Sequence, residues 1–291
     1  MFMLRYLLFA VLIGCFSGCI KNNPDPSWLE INKWTLQSNV DLSGAEGELT
    51  QNISEAWVYV NDEIIGVFQL PCKVPILKSG DCNIKVYPAI KNNGISATKK
   101  IYPFLEVFEL NAKLNENEVL TLNPKTRYKS ITRFKNYDFE STSLPLENDP
   151  NTSLSKISFS NSNLEWFNGN YYGKVELNKN DSTWVAYTTD QLYFSKGKEV
   201  YLELDYYNTN SLVTGLIFVN TDGTTNNNLN IKVNQQENST AKWKKIYIDL
   251  RELIANSPQG SNFLQSFQAS IDSGKSTAEI RLDNIKLVYF D

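Results

Sequence analysis

Histidine is absent from the 291 residues. That removes the Ser-His-Asp and Cys-His nucleophile systems, which need an imidazole to take a proton. Zinc sites that include His go too, as does imidazole-based pH switching. Cysteine is scarce, at four residues. The one marked apolar run, residues 7–19, falls short of the roughly 20 residues that a spanning helix needs. Basic excess is missing as well: 28 Lys+Arg stand against 32 Asp+Glu, a formal net charge of −4. Such a chain lacks the footprint of sequence-independent nucleic-acid binding, and it has no polybasic cluster for anionic lipid. No long apolar stripe of period 3.6 occurs; alternation of period two dominates. Carboxylates, lysine and tyrosine are the chemistry left, which favours binding or scaffolding over catalysis.

What is present begins with an address. Arg5 precedes the apolar run, which ends on Ser17-Gly18-Cys19, in the order of a secretory n-, h- and c-region. This stretch resembles the lipobox of bacterial lipoproteins. The resemblance implies removal of residues 1–18 and lipid on Cys19; a plain secretory signal is the competing reading, and the window at Cys15 is a weaker lipid site. Acyl chains add about 0.8 kcal/mol per buried methylene, and lasting attachment takes more than one chain. Pro24 and Pro26 stop any helix after the run, so residues 19–27 read as an extended tether.

Residues 28–123 read as a small β-sandwich. Ala56-Trp57-Val58-Tyr59-Val60, a tight turn at Asn61-Asp62, and Ile64-Ile65-Gly66-Val67-Phe68 form a hairpin signal. Cys72 to Leu77, a turn at Gly80, and the segments 84–88, 101–104, 107–114 and 119–122 continue the meander. The outline resembles PEGA-type surface modules, which are Ig-like. Pairing 73–77 with 83–87 in a hairpin sets Cys72 opposite residue 87. That puts it beyond the roughly 7 Å Cα separation that a disulfide with Cys82 allows, so two separate buried thiols are expected. Residues 124–133 read as a basic-polar linker. The segments "SWLEINKWTL" and "NNGISATKKIYPF" resemble a group of uncharacterised Bacteroidota lipoproteins, which implies an envelope location and no particular chemistry. No acidic cluster follows Cys19, so the periplasmic face of the outer membrane is expected rather than the cell surface.

Residues 134–291 alternate as strands: Val200, Leu202, Leu204 and Tyr206 against Tyr201, Glu203, Asp205 and Tyr207, then Ile246 and Ile248 against Lys245 and Tyr247. Leu282 and Ile285 cannot share a face in a regular strand, which predicts a bulge at Asp283-Asn284. Asn226-Asn227-Asn228 reads as a loop, and residues 250–255 as a short helix. "YDFE", "VYLELDYYN", "WKKIYIDL" and "RLDNIKLVYF" resemble the galactose-binding-like jelly roll of carbohydrate-binding modules. The fold expected is therefore all-β, a small sandwich followed by a jelly roll, behind a lipoprotein signal peptide.

That resemblance implies a structural Ca²⁺ between Glu140 of the first strand and Asp283 of the last, since calcium takes six to eight oxygens and backbone can supply some. "LEWFNGNYYG" offers a sugar-stacking set: Trp166, Tyr171 and Tyr172 with the amides of Asn168 and Asn170, extended by Tyr207. Trp184 and Trp243 read as core. Glu203 and Asp205, two apart on one strand face, are the nearest approach to a glycosidic acid pair and read as solvated. Ser182, in Asp181-Ser182-Thr183, resembles an O-glycosylation acceptor of Bacteroidota envelope proteins. Residues 92–104, polar leading into aromatic, suit a protein-contact surface. The function expected is non-enzymatic: a membrane-anchored component that binds or scaffolds envelope protein partners. Glycan capture by the jelly roll is the alternative.

Overall fold

A computed structural model describes residues 25–161 and 169–291. Cys19, Trp166 and Asn168 lie outside the described residues.

The first half contains β1 (Ser27–Ile31), β2 (Thr35–Gln37), β3 (Glu55–Val60), β4 (Glu63–Gln69), β5 (Cys72–Ile76), β6 (Gly80–Lys91), β7 (Lys99–Ile101), β8 (Phe108–Leu114), β9 (Val119–Leu122) and β10 (Lys125–Arg127). One sheet runs β4-β3-β6-β7, with β8 also on β6; a smaller one runs β5-β1-β9; β2 and β10 pair in parallel. Period-two alternation decides the faces. Ala56, Val58 and Val60 join Ile84 and Val86 in a core shared with Leu29, Ile31, Val74 and Ile76 of the smaller sheet. Asn61 and Asp62 both have positive φ, 52° and 62°, the requirement of a two-residue primed hairpin turn.

Two expectations fail here. β5 pairs with β1, and β6 with β3 and β8, so there is no hairpin between 73–77 and 83–87. Cys72 and Cys82 are still both free thiols, although Cys72 is only half-buried. The segment 124–133 is not a loose linker either, since β10 pairs with β2 while Thr126 and Tyr128 are buried.

The second half contains β11 (Arg133–Tyr137), β12 (Leu146–Asn148), β13 (Ser158–Ser160), β14 (Tyr172–Asn178), β15 (Thr183–Thr188), β16 (Val200–Asn208), β17 (Leu212–Val219), β18 (Thr225–Val233), β19 (Lys244–Asp249), α1 (Arg251–Asn256), β20 (Asn262–Ser270) and β21 (Thr277–Tyr289). Except at the β13-β14 and β17-β18 hairpins, successive strands cross between two antiparallel sheets, β13-β14-β21-β16-β19 with β11 beside β21, and β12-β15-β20-β17-β18. That alternation is a jelly roll. Trp184, Leu204, Leu216, Phe267 and Leu282 lie in the core between the sheets. The bulge falls where the 282/285 parity conflict requires it. Glu203 pairs Lys286 while Asp205 pairs Asp283, and the extra residue, Asn284, has φ 46°. Asn226-Asn227-Asn228 is strand, inside β18, not loop.

Candidate functional site

A two-sheet sandwich has two outer faces, and in the second half one of them is closed. The outer row of the first sheet carries Tyr201, Glu203 and Asp205 on β16, Lys245, Tyr247 and Asp249 on β19, and Asp283 and Lys286 on β21. The N-terminal module packs over most of it. Tyr102 and Tyr128 donate to Glu203 Oε1 at 2.6 and 2.8 Å. Thr50 donates to Asp205 Oδ2 at 2.5 Å, and Tyr247 OH accepts from Asn52 N at 3.0 Å. Lys286 Nζ donates to the carbonyls of Glu46, at 2.6 Å, and Glu48. Asn93 of the polar loop donates from its N to Tyr247 O, and its Oδ1 accepts from Asp249 N. Tyr102 and Phe104 are buried beside Tyr201. The segment 92–104 is thus a protein-contact surface whose partner is the chain's own second module.

Glu203 and Asp205 are therefore not solvated: both side chains are fully buried, with Lys245 Nζ 3.1 Å from Glu203 Oε2 and 3.6 Å from Asp205 Oδ1. Burial alone would raise the Glu203 pKa, but the Lys245 and Lys286 charges and two tyrosine donors hold it below the ordinary range. Burial and the adjacent Glu203 push the Tyr102 and Tyr128 hydroxyls well up, so they remain donors. Asp283 is the exception in this layer. Burial, together with Asp205, Glu140 and Asp138 nearby, raises it to about 8 despite one backbone donor, Asn284 N. Lys245, two tyrosines and Thr50 close around Glu203 and Asp205, so neither carboxylate faces a cleft open to a substrate.

The residues present do not fit a calcium ion between Glu140 and Asp283. Glu140 Oε1 accepts from Asn170 N at 2.7 Å and Tyr171 N at 2.9 Å, and Oε2 from Asn170 Nδ2 at 3.0 Å. A cage of N–H donors satisfies a bare carboxylate and repels a cation, and it engages both oxygens of Glu140. Among the described residues, no group of three or more His, Cys, Asp or Glu could hold a metal ion.

The described part of the predicted stacking set does not form one platform. Tyr171 is 40% exposed, whereas Tyr172 is fully buried. Asn170 is committed to Glu140. Trp184 is core, its Nε1 donating to Asn148 Oδ1. Trp243 is not core: it meets Tyr172 edge-on at 5.6 Å, on the outer face of the first sheet. Tyr207 lies there too, with the Arg281 guanidinium 4.2 Å from its ring centroid and 5.8 Å from that of Tyr172. A shallow polar cavity of about 410 Å³, lined in part by Tyr207, Thr209 and Glu279, adjoins them. Ser182 is half-buried, its carbonyl accepting from Ile271 N.

Among the described residues, the outer face of the second sheet is open. Because Trp184, Ala186, Phe267 and Leu216 point into the core, their neighbours point out. Registers align Val185, Gln268, Val213 and Lys232 in one row, Glu147, Tyr187, Ser266, Gly215 and Leu229 in the next, and Leu264, Ile217 and Asn227 in a third. Leu229 is 47% exposed, and Tyr193, next to the Leu192–Phe263 bridge, 61%. Asn262 Nδ2 donates to Gln191 Oε1 at the same end. The face is thus aliphatic and tyrosine-bearing, edged with amides. Its parity was legible in "WVAY" and "FQAS", but the role of the face was not, because only pairing shows which of two outer faces is covered.

No protein-family model matches the chain, and no curated protein matches it. Solved structures do. One is the CBM22-1 xylan-binding domain of Paenibacillus barcinonensis Xyn10C, 15% identical, covering 54% of this chain and 94% of that one, with TM-score 0.37. Another is the family 11 carbohydrate-binding module of Clostridium thermocellum Lic26A-Cel5E, 12% identical over 53% and 93%, TM-score 0.37. A third is the C-terminal family 22 module of Clostridium thermocellum Xyn10B, 12% identical over 53% and 91%, TM-score 0.36. Likenesses of this size assign no ligand; the strand order itself carries the conclusion that part of this chain is a jelly roll.

Proposed function

We propose that the protein is a non-catalytic glycan-binding protein whose C-terminal jelly roll takes a sugar chain on the open face of its second sheet. The observation that carries this is the asymmetry of the sandwich. One outer face is covered over most of its area by the N-terminal module, and the other presents Tyr187 and Tyr193 among Gln268, Asn227 and Asn262. Flat rings match the C–H faces of sugars, and amides can both donate to and accept from hydroxyls. Scaffolding of envelope proteins is the weaker reading, because the segment best suited to it, 92–104, is engaged within the chain.

We extend this reading to a protein moored through lipid on Cys19, supported by the order of residues 5–19 alone, and on the periplasmic side of the outer membrane, supported by the lack of acidic residues at 20–23. Loss of palmitate incorporation in Cys19→Ser tests the mooring. Affinity electrophoresis against soluble polysaccharides tests the binding. Retardation should weaken at least tenfold in Tyr187→Ala at unchanged thermal stability, and equal retardation of variant and parent would refute the site.

A further inference from the structure

The N-terminal module carries a face that the C-terminal reading does not use. In the sheet β4-β3-β6-β8, the residues alternating with the core ones point outward. Val67, Trp57 and Tyr87 form one row across three strands, and Ile64, Tyr59, Lys85 and Glu109 the next. Tyr59 and Tyr87 meet edge to face, ring centroids 5.5 Å apart. None of these side chains is fully buried, and Ile64 is 54% exposed. At about 4.8 Å between strands, the three-strand row spans about 10 Å.

Trp57 is set apart from the structural tryptophans by its hydrogen bonding. Trp34 Nε1 donates to Glu55 O, and Trp184 Nε1 to Asn148 Oδ1. Trp57 Nε1 is buried with no acceptor among the described residues, so this indole offers a ligand its ring and not its N–H. The charges around the face cancel locally. Lys85 pairs with Asp62 at 2.7 Å, and Lys99 with Glu55 at 3.0 Å, with Lys91 3.8 Å from the same carboxylate. Glu109 accepts from Asn83 Nδ2 at 2.8 Å, beside Lys85. Three lysines therefore stand against three carboxylates, leaving no field to attract a charged polymer.

From these observations we infer that Trp57, Tyr59 and Tyr87 form a second carbohydrate-binding face, taking a neutral polysaccharide. The rings supply stacking surface, and Asn83, Asn111 and Lys85 a polar edge for hydroxyls. This face stands apart from the one on the jelly roll, and paired variants tell them apart.

The test is affinity electrophoresis of the protein in gels containing barley β-glucan, xyloglucan, arabinoxylan or galactomannan, with polygalacturonate as the anionic comparison. Trp57→Ala and Tyr87→Ala should each weaken retardation by at least one neutral polymer tenfold or more, while Tyr187→Ala leaves the Trp57-dependent part in place. Thermal melts control for folding, with Trp57→Phe, which keeps a ring, expected to retain most of the binding. Retardation unaffected by both N-terminal substitutions overturns the inference and spares the jelly-roll site. Retardation by polygalacturonate alone overturns it, as does a concentration-dependent dimer that Trp57→Ala abolishes, since a second copy would then cover the face. Absence of retardation by every polymer, polygalacturonate included, overturns both sites.

Discussion

Tyr102 of the N-terminal module donates to Glu203 Oε1 of the jelly roll at 2.6 Å, and both residues are buried. Together with Tyr128 and Lys245, this contact makes the interface between the halves a closed polar layer rather than a loose joint. Buried charge of this kind stabilises little beyond an apolar equivalent, but losing one partner strands the other.

Glu203→Ala should therefore lower stability by about 3–5 kcal/mol, the range for breaking a buried ion pair. Tyr102→Phe removes one hydrogen bond to a charged acceptor and should cost about 1.5–3 kcal/mol. Urea denaturation followed by tryptophan fluorescence reads both. Because residues of both modules share the layer, the parent should unfold in a single transition, and Glu203→Ala should be the variant that separates it into two.

Two groups of that layer give opposite pH dependences in different windows. Asp283 has a folded pKa of about 8 against an ordinary 3.8, so the folded state holds a proton that the unfolded chain releases. Its stabilising effect is complete below about pH 4 and is lost as pH rises towards 8. Lys286 is lowered from 10.5 to about 8, chiefly by burial and then by Lys245. Its unfavourable effect is full below pH 8 and relieved between 8 and 10.5. Asp283→Asn keeps an acceptor for Asn284 N and should flatten the decline between pH 4 and 8. It should match the parent at pH 4 and exceed it in stability at pH 8, as read by thermal midpoints across that range.

Period-two patterning made the strands legible, and in two places more than that. The same-face conflict of Leu282 and Ile285 located the Asn284 bulge, and Asn61-Asp62 located a primed turn. What stayed illegible depended on long-range pairing. Alternation placed Glu203 and Asp205 correctly on the non-core side of β16, but a second module and not water covers that side. The same gap misled the Cys72 hairpin, because pairing β5 with β1, more than 40 residues earlier in sequence, leaves no local signature. For the candidate site, Tyr187 and Trp57 alternate with core residues, but nothing in single strands reveals which outward faces remain uncovered. Two members of the stacking set part for a related reason: Tyr171 and Tyr172 are adjacent, so alternation sends their rings to different environments.

Cys72 and Cys82 should titrate as two free thiols. Burial raises the Cys72 pKa, and Cys82 is buried with Asn61 Nδ2 at 3.7 Å from its sulfur. Thiol reagents attack the thiolate, so Cys72 should react slowly at neutral pH and faster as pH rises. Cys82 should wait for denaturant. An Ellman titration of the native and unfolded protein, with and without prior reductant, reads this directly. A thiol count that rises after reduction would mean that a bridge forms.

Gly215 ties stability to the open face of the jelly roll. It lies in the row of Tyr187 and Ser266, beside the register shift between β17 and β18. A Cβ there would stand 2.6 Å from Asn228 O and 3.0 Å from Leu229 Cα. Both are backbone atoms of β18, so the strand itself has to move. Gly215→Ala should cost about 1–3 kcal/mol, as overpacking does. Gly223→Ala is the contrasting case: its Cβ meets nothing within 4 Å, but φ is +82°, so backbone strain of about 1–2 kcal/mol acts alone. Similar losses in thermal stability are thus expected for different reasons, and binding separates them. Displacing β18 shifts Leu229 and Asn227 on the proposed sugar face, so Gly215→Ala should weaken polysaccharide retardation while Gly223→Ala leaves it unchanged. Equal retardation of the two variants would mean that the ligand does not lie across β17 and β18.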